Sequence, residues 1–135
     1  MLKAARGAIV LTSSTAGIYG YPNRAPYAAA KWGIIGLMKT LAMEWGPEGV
    51  RANAICPGAV EGPRMQGVME REAAAKGTDV QHIYDGYASG TSMRSLVTAE
   101  DIANMAVFLC SAGARLVSGQ VIAVDGHTEN PDPKV

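Results

Sequence analysis

Tyr27 and Lys31 are the first residues of this chain whose types and spacing could do chemistry together. On a helix, residues four positions apart lie on the same face. An ammonium close to a phenol favours the phenolate, which makes a tyrosine a usable proton donor or acceptor. Because many solvated helices carry such a pair, Tyr27 and Lys31 alone are weak evidence for a catalytic site.

Position strengthens this interpretation. Residues 7–12 form an apolar run, typical of a strand buried on both faces of a parallel sheet, which ends at Ser13 and Ser14. A second such strand, 50–56, ends at Pro57-Gly58, where a turn without a side chain admits a flat ring. Open α/β sheets bind ligands at the carboxyl ends of their strands. We therefore expect Ser14 to meet the tyrosine and lysine there, although a serine that merely ends a strand is the simpler reading.

The elements that must position these residues are helices and strands in alternation, which predicts a parallel sheet. The predicted helices are 26–45, 65–76 and one after Thr98, an N-cap residue, and the third strand is 119–124. Residues 77–90 are polar and glycine-rich, which favours a mobile excursion suited to a lid. The small residues of the first helix, Gly33 and Gly36 among them, predict a close neighbour on that helix.

Composition excludes several classes of function. The chain has 135 residues, and its 12 basic and 12 acidic residues cancel, so nothing favours nucleic acid or an anionic membrane as a partner. Cys56 and Cys110 show no metal-binding spacing and suit buried thiols in a reducing compartment. Without a membrane-spanning run or a secretory leader, the sequence predicts a cytoplasmic protein.

The order and spacing of the motifs resemble the carboxyl-terminal half of the short-chain dehydrogenase/reductase family. The segments that carry the resemblance are TSS, YAAAK, RANAICPG, AEDIANMAVFLCS and SGQVIAVDG, spread over roughly residues 7–126. The resemblance implies an α/β fold: a partial Rossmann-like, doubly wound parallel sheet of three strands with flanking helices over residues 1–126. Residues 127–135 would then be a tail.

The resemblance also implies roles for individual residues. Ser14 would hydrogen-bond the substrate oxygen, Tyr27 would donate or remove its proton, and Lys31 would assist the tyrosine while binding the nicotinamide ribose. Near the nicotinamide we expect Pro57, Gly58 and Val60. A hydride would pass between NAD or NADP and a secondary alcohol or ketone, with substrate specificity residing in residues 65–90.

Two departures from the family pattern matter. At Gly62 the family usually supplies a hydroxyl, so one cofactor hydrogen bond is in doubt. The glycine-rich dinucleotide fingerprint is absent and has no room before Gly7, so the amino-terminal Rossmann half is expected to be missing. The chain alone should therefore bind the dinucleotide weakly and expose an apolar strand edge. Homo-oligomers, dimers or tetramers, are implied by kinship.

Alternative functions use other residues. A hydrolase triad would combine Ser14 with His82 or His127 and with Asp85 or Asp125, but no nucleophile-elbow motif surrounds the serine. The histidines and acids show no metal-ligand spacing, so no metal is expected. A cover over the substrate, or a simple core, explains the remaining large apolar residues of this region: Met65, Met69, Met93, Tyr84 and Tyr87. The second functional hypothesis is a truncated or split, non-catalytic fragment that acts through assembly.

Overall fold

The computed structural model describes residues 1–131. Within this range the chain forms a three-stranded parallel sheet in the order β1-β2-β3, so that β2 is central. The predicted parallel α/β architecture is confirmed. The elements, in chain order, are α1 (Leu2–Ala5), β1 (Ala8–Thr12), α2 (Ala25–Trp45), β2 (Arg51–Pro57), α3 (Pro63–Lys76), α4 (Val80–Ser89), α5 (Ala99–Cys110) and β3 (Val121–Val124).

The register of the sheet places the carboxyl ends of β1 and β2 at the same end of the sheet. Ala8 pairs with Arg51 and Thr12 with Ile55, while the last residue of β2, Pro57, pairs with Val124 of β3. β1 ends opposite Ile55, two residues before β2 ends at Pro57, and both strands run in the same direction. The residues that follow β1 and β2 therefore emerge on the same side of the sheet, as the sequence predicted.

The central strand and α2 make the main core. Ile35 and Met38 of α2 pack on the buried residues Ala52, Ala54 and Cys56 of β2. By contrast, no residue of β1 is buried and Thr12 is exposed, so the prediction that β1 is buried on both faces is wrong for this chain. The physical reason is that β1 has a strand partner on one side only.

Residues 77–90, predicted to be a mobile excursion rather than core, contain the helix α4 and part of a second core. Asp79 caps it: its carboxylate accepts a hydrogen bond from the backbone N–H of His82 at 2.7 Å. A small second core is formed by Met69, Ala73 and Ile83, against which Met65, Val80, Tyr84 and Tyr87 pack. These residues are therefore core between α3 and α4, whereas Met93 is exposed.

Three further sequence predictions concern α5, the thiols and α2. Thr98 caps α5 in a reciprocal capping box with Asp101, which confirms that helix start.

Cys56 is buried but Cys110 is exposed, so the prediction of two buried thiols is wrong for Cys110; it lies in the last turn of α5. No atom within residues 1–131 would approach a Cβ at Gly33 to within 4 Å, so the neighbour expected there is not part of the described chain.

None of the helices within 1–131 combines the length and the apolarity that a bilayer span requires. Residues 132–135, the last part of the predicted tail, lie outside the described range.

Candidate active site

The loop after β1 is fixed to α2 by a buried hydroxyl. Ser13 Oγ donates a hydrogen bond of 2.8 Å to the backbone carbonyl of Lys31. Gly17 lies against the same carbonyl: a Cβ there would be 3.0 Å from the Lys31 oxygen and would collide with Ser13 Oγ. The end of β1 and the turn of α2 that carries Lys31 are thus held together. Sequence reasoning missed Ser13, and its only signal was a second hydroxyl beside Ser14.

Lys31 connects the end of β1 with Tyr27. Its Nζ donates to the backbone carbonyl of Thr12 at 3.3 Å and lies 5.6 Å from the centroid of the Tyr27 ring. One helical turn brings the amine and the phenol together, as their spacing predicted. The Tyr27 side chain remains 41% exposed, so a ligand can reach its hydroxyl.

Ser14 follows Thr12 by two residues and lies at the same carboxyl end of β1. Its backbone is extended, and its Oγ caps a short 3-10 turn, Thr15–Gly17, by accepting from the N–H of Ala16 at 3.1 Å. That bond uses a lone pair of the oxygen and leaves the hydroxyl proton free to donate. Within residues 1–131 the side chains of Ser14, Tyr27 and Lys31 make no hydrogen bond to one another. Lys31 joins Tyr27 to the end of β1, and Ser14 follows that end by two residues.

The end of β2 comes within contact distance of the loop after β3. Gly58 donates its N–H to the Val124 carbonyl at 3.0 Å, and a Cβ on it would lie 2.9 Å from the Asp125 Cβ. This close approach requires glycine. Asp125 is itself occupied, because its carboxylate accepts from the N–H groups of His127 and Thr128 and, at 2.6 Å, from the Thr128 hydroxyl. It is a structural residue that the sequence did not identify as one.

Beyond Gly58 the backbone of Val60 is turned outward. In the bridge between Val60 and Val97, the bonds are made by the Ala59 carbonyl and the Glu61 N–H, at 3.1 and 2.8 Å. A parallel bridge leaves the N–H and C=O of its central residue on the other side. Within residues 1–131 no hydrogen bond uses these groups of Val60, so they are available to a ligand. Gly62, the N-cap of α3 at φ +146°, offers no side chain.

Cys56 lies under the site as a neutral group. Burial raises the pKa of its thiol, and although hydrogen bonding to Ser13 works in the opposite direction, the net shift is upward. The side chain is inaccessible to solvent. A protonated, buried thiol is a poor nucleophile, so Cys56 contributes packing rather than chemistry.

The residues of the hydrolase alternative are dispersed or already bonded. His127 Nδ1 lies 3.0 Å from the Ser92 hydroxyl, not Ser14, and the Asp125 carboxylate bonds the backbone of its own loop. His82 is exposed on α4. Across the described range, no three His, Cys, Asp or Glu side chains are grouped as metal ligands.

Comparison with known proteins agrees with this geometry. A family model described as enoyl-(acyl carrier protein) reductase matches residues 1–127. Trans-4-hydroxycyclohexanecarboxylate dehydrogenase from Sinomonas cyclohexanicum is 38% identical over 125 residues, which cover 93% of this chain and 42% of that protein. The chain spans about half the length, or less, of the curated relatives it matches.

Solved structures show the same fold. An actinorhodin polyketide ketoreductase with NADPH superposes with a TM-score of 0.86 at 32% identity, covering 96% of this chain and 50% of the other. For 4-hydroxyisoleucine dehydrogenase complexed with NADH the TM-score is 0.71 at 27% identity, with 93% and 48% covered. The chain belongs to the short-chain dehydrogenase/reductase family of oxidoreductases, with whose Rossmann-like α/β fold its sheet and helices agree.

Proposed function

We propose that this chain carries the catalytic half of a reductase that interconverts a secondary alcohol and a ketone through Ser14, Tyr27 and Lys31. The observation that carries the proposal is the position of Lys31: its Nζ reaches both the end of β1 at Thr12 and the Tyr27 ring. The amine therefore links the phenol to the end of β1, two residues before Ser14. Few other functions need these three groups together.

Each residue has a separable task. The free proton of the Ser14 hydroxyl donates to the substrate oxygen and orients it. Tyr27 transfers a proton between its phenol and the same oxygen, in a direction set by whether the ketone or the alcohol is bound. The Lys31 ammonium stabilises the phenolate left on Tyr27, and its bond to Thr12 still leaves donors for a second partner.

The residues at the end of β2 fit a nicotinamide dinucleotide. Within residues 1–131 the backbone N–H and C=O of Val60 make no hydrogen bond, and they can supply the donor and the acceptor that a carboxamide needs. Gly58 has no side chain that would keep a flat ring away from the end of β2. When bound, the dinucleotide supplies or accepts the hydride. Gly62 has no hydroxyl to add. The two solved relatives, bound to NADPH and to NADH, support a nicotinamide cofactor without choosing between its forms.

We further propose that an amino-terminal half completes the fold. Two observations support it: the outer edge of β1 has no strand partner within residues 1–131, and the curated relatives are about twice as long. An unpaired strand edge beside half-buried apolar residues favours pairing with a further strand. The dinucleotide-binding loop would lie in that half, so the chain alone is expected to bind the cofactor weakly.

Cofactor binding tests this division of labour. Nicotinamide fluorescence should show no micromolar binding of NADH or NADPH to the chain alone. When a relative's amino-terminal half is co-expressed with the chain, we expect binding to be restored and the reduced dinucleotide to be oxidised when a ketone is added. In that complex, Tyr27→Phe should lower kcat by about 10²–10⁴-fold. Tyr21→Phe, in the neighbouring loop, is the matched control and should leave kcat unchanged. Full activity of Tyr27→Phe would exclude the proposed proton donor.

A second candidate function is non-catalytic assembly. Trp32, Leu37 and Met43 are large apolar side chains of α2 that are more than half exposed. Apart from the adjacent backbone of α2 itself, no atom of residues 1–131 would lie within 4 Å of a Cβ at Gly33 or Gly36. This face could pair with another copy in a dimer or tetramer. Intact mass of purified material and the presence or absence of a second polypeptide distinguish a self-assembled fragment from half of an enzyme. The cytoplasmic location stays a prediction.

A further inference from the structure

A cavity of about 440 Å³ opens at the end of the sheet opposite the candidate active site. Its charged lining is entirely basic: Arg6 precedes β1, Arg51 begins β2 and Arg115 follows α5. Because β2 is seven residues long, the cavity lies roughly 20 Å from Gly58 and the catalytic edge. Cys110 and Ser111, at the end of α5, form part of the wall.

The three guanidinium groups are not neutralised within the protein. Arg51 is held in place by hydrogen bonds to the carbonyls of Leu109 and Ser111, which leave some of its five donors unused. Over residues 1–131, the side chains of Arg6 and Arg115 form neither an ion pair nor a hydrogen bond. No acidic residue lines the cavity.

The position of Arg6 is also determined by packing. Its aliphatic stem lies on Gly49, where a Cβ would be 3.0 Å from Arg6 Cγ. A glycine at this point lets the stem lie flat beside the start of β2, with the charged group at the cavity. Three cations from three separate elements thus converge where only one of them, Arg51, has a structural partner.

We propose that this cavity binds a small phosphate-bearing anion, at a site separate from the oxidoreductase centre. Guanidinium groups bind phosphate oxygens in pairs, and a bound dianion would offset the repulsion between the three arginines. The volume accommodates a ligand larger than inorganic phosphate, such as a diphosphate or a small organic phosphate. Its distance from Ser14 and Tyr27 makes it a regulatory or stabilising ligand rather than a substrate.

Cys110 provides a built-in reporter, because it is exposed in the cavity wall while Cys56 is buried. We would measure its rate of reaction with a dianionic disulfide, dithiobis(nitrobenzoate), and with a neutral one, dithiodipyridine. The arginines should accelerate the anionic reagent, and Arg115→Ala or Arg6→Ala should each slow it by about fivefold at low salt. The rate with the neutral reagent should fall less than the rate with the anionic one, because it responds to the thiolate alone and not to attraction of the reagent. A single reactive thiol per chain, with Cys56 still protected, reports that the variants remain folded.

Pyrophosphate is the test ligand. It should protect Cys110 from both reagents in the unsubstituted chain, and an Arg6→Ala/Arg115→Ala double variant should lose that protection. Arg64→Ala, an exposed arginine on α3, and Lys31→Ala, in the candidate active site, should both keep it. Absence of protection in the unsubstituted chain would overturn the proposal. So would equal protection by chloride at matched ionic strength, or protection that persists in the double variant.

Discussion

The unit formed by the sheet and α2 differs from the α3–α4 hairpin in how each is stabilised. The first has its own buried cluster around Met38, Ala54 and Cys56, and it carries the residues of the candidate active site. The hairpin has a second cluster around Met69 and Ile83, which shares no buried residue with the first. Each region therefore excludes water mainly through contacts within itself.

This difference indicates two regions that are stabilised separately. The hairpin is joined at its base by bridges from Val60 to Val97 and from Thr91 to Thr128. Elements with a small core of their own can open locally at lower free energy than the whole fold. Local opening of the hairpin would leave the bond of Lys31 to Thr12 in place, because neither residue belongs to the second cluster.

The largest effect is expected from Met38→Ala, which removes a fully buried side chain between α2 and β2. The lost contacts and the cavity should lower the free energy of unfolding by about 2–5 kcal/mol. Denaturant unfolding monitored by circular dichroism measures it. Met43→Ala, at an 80% exposed position of the same helix, is the control and should change little. A small effect of Met38→Ala would mean that the sheet–α2 core does not determine stability.

Ile83→Ala tests whether the α3–α4 hairpin can lose stability while the sheet keeps its own. Ile83 is as inaccessible as Met38, so a similar loss of about 2–5 kcal/mol is expected, but within the hairpin. Hydrogen exchange followed by mass spectrometry should show faster exchange in α3 and α4 while β2 stays protected. Equal acceleration in β2 would show that the two regions unfold as one.

Gly58→Ala tests the close approach between the end of β2 and the loop after β3, beside the candidate active site. A Cβ at 2.9 Å from the Asp125 Cβ and 3.0 Å from its Cα forces the backbone apart, at a cost of about 1–3 kcal/mol. Gly20→Ala, at a position with open space, is the matched substitution. Thermal unfolding of both variants gives the result. If the two lose stability equally, the contact between Gly58 and Asp125 does not constrain the site.

The smallest effect is expected from Tyr87→Phe. The Tyr87 hydroxyl donates to the Glu72 carboxylate at 3.0 Å, and its loss should cost about 1 kcal/mol near neutral pH. Burial, followed by the bond to Glu72, raises the pKa of Tyr87 to about 12. Because the folded state then binds the proton more tightly than the unfolded state, this stabilisation is present below pH 10 and is lost as the pH rises toward 12.

The measurement is the stability of the hairpin against pH. In the unsubstituted chain it should fall over that alkaline range, and in Tyr87→Phe this component of the fall should be absent. Tyr27→Phe removes a tyrosine hydroxyl that is not among the groups acting on Tyr87, keeps the Tyr87–Glu72 bond and should behave like the unsubstituted chain. An unchanged profile in Tyr87→Phe would remove the assigned cause.

Local sequence signals determined much of the fold. The apolar runs that became β1, β2 and β3, the Pro26 helix start and the Thr98 cap each depend on neighbouring residues, so they could be identified without contacts distant in the chain. The spacing of Tyr27 and Lys31 did the same for the candidate site. Helix α4 carried an equally local signal, with apolar residues at 80, 83, 84 and 87, but its one glycine, Gly86, and its polar residues obscured the pattern.

Only the tertiary structure decided how exposed each element is and which groups remain free. The burial of β1 depends on which elements cover it, and its sequence does not show that. Likewise, Gly58 contacts Asp125 and Ser13 bonds Lys31, and both pairs are far apart in the sequence. The same holds for the cavity that gathers Arg6, Arg51 and Arg115. Composition gives only the net charge of the chain, in which basic and acidic residues cancel. The fold sets the distances between the charged groups, and electrostatic free energy depends on those distances.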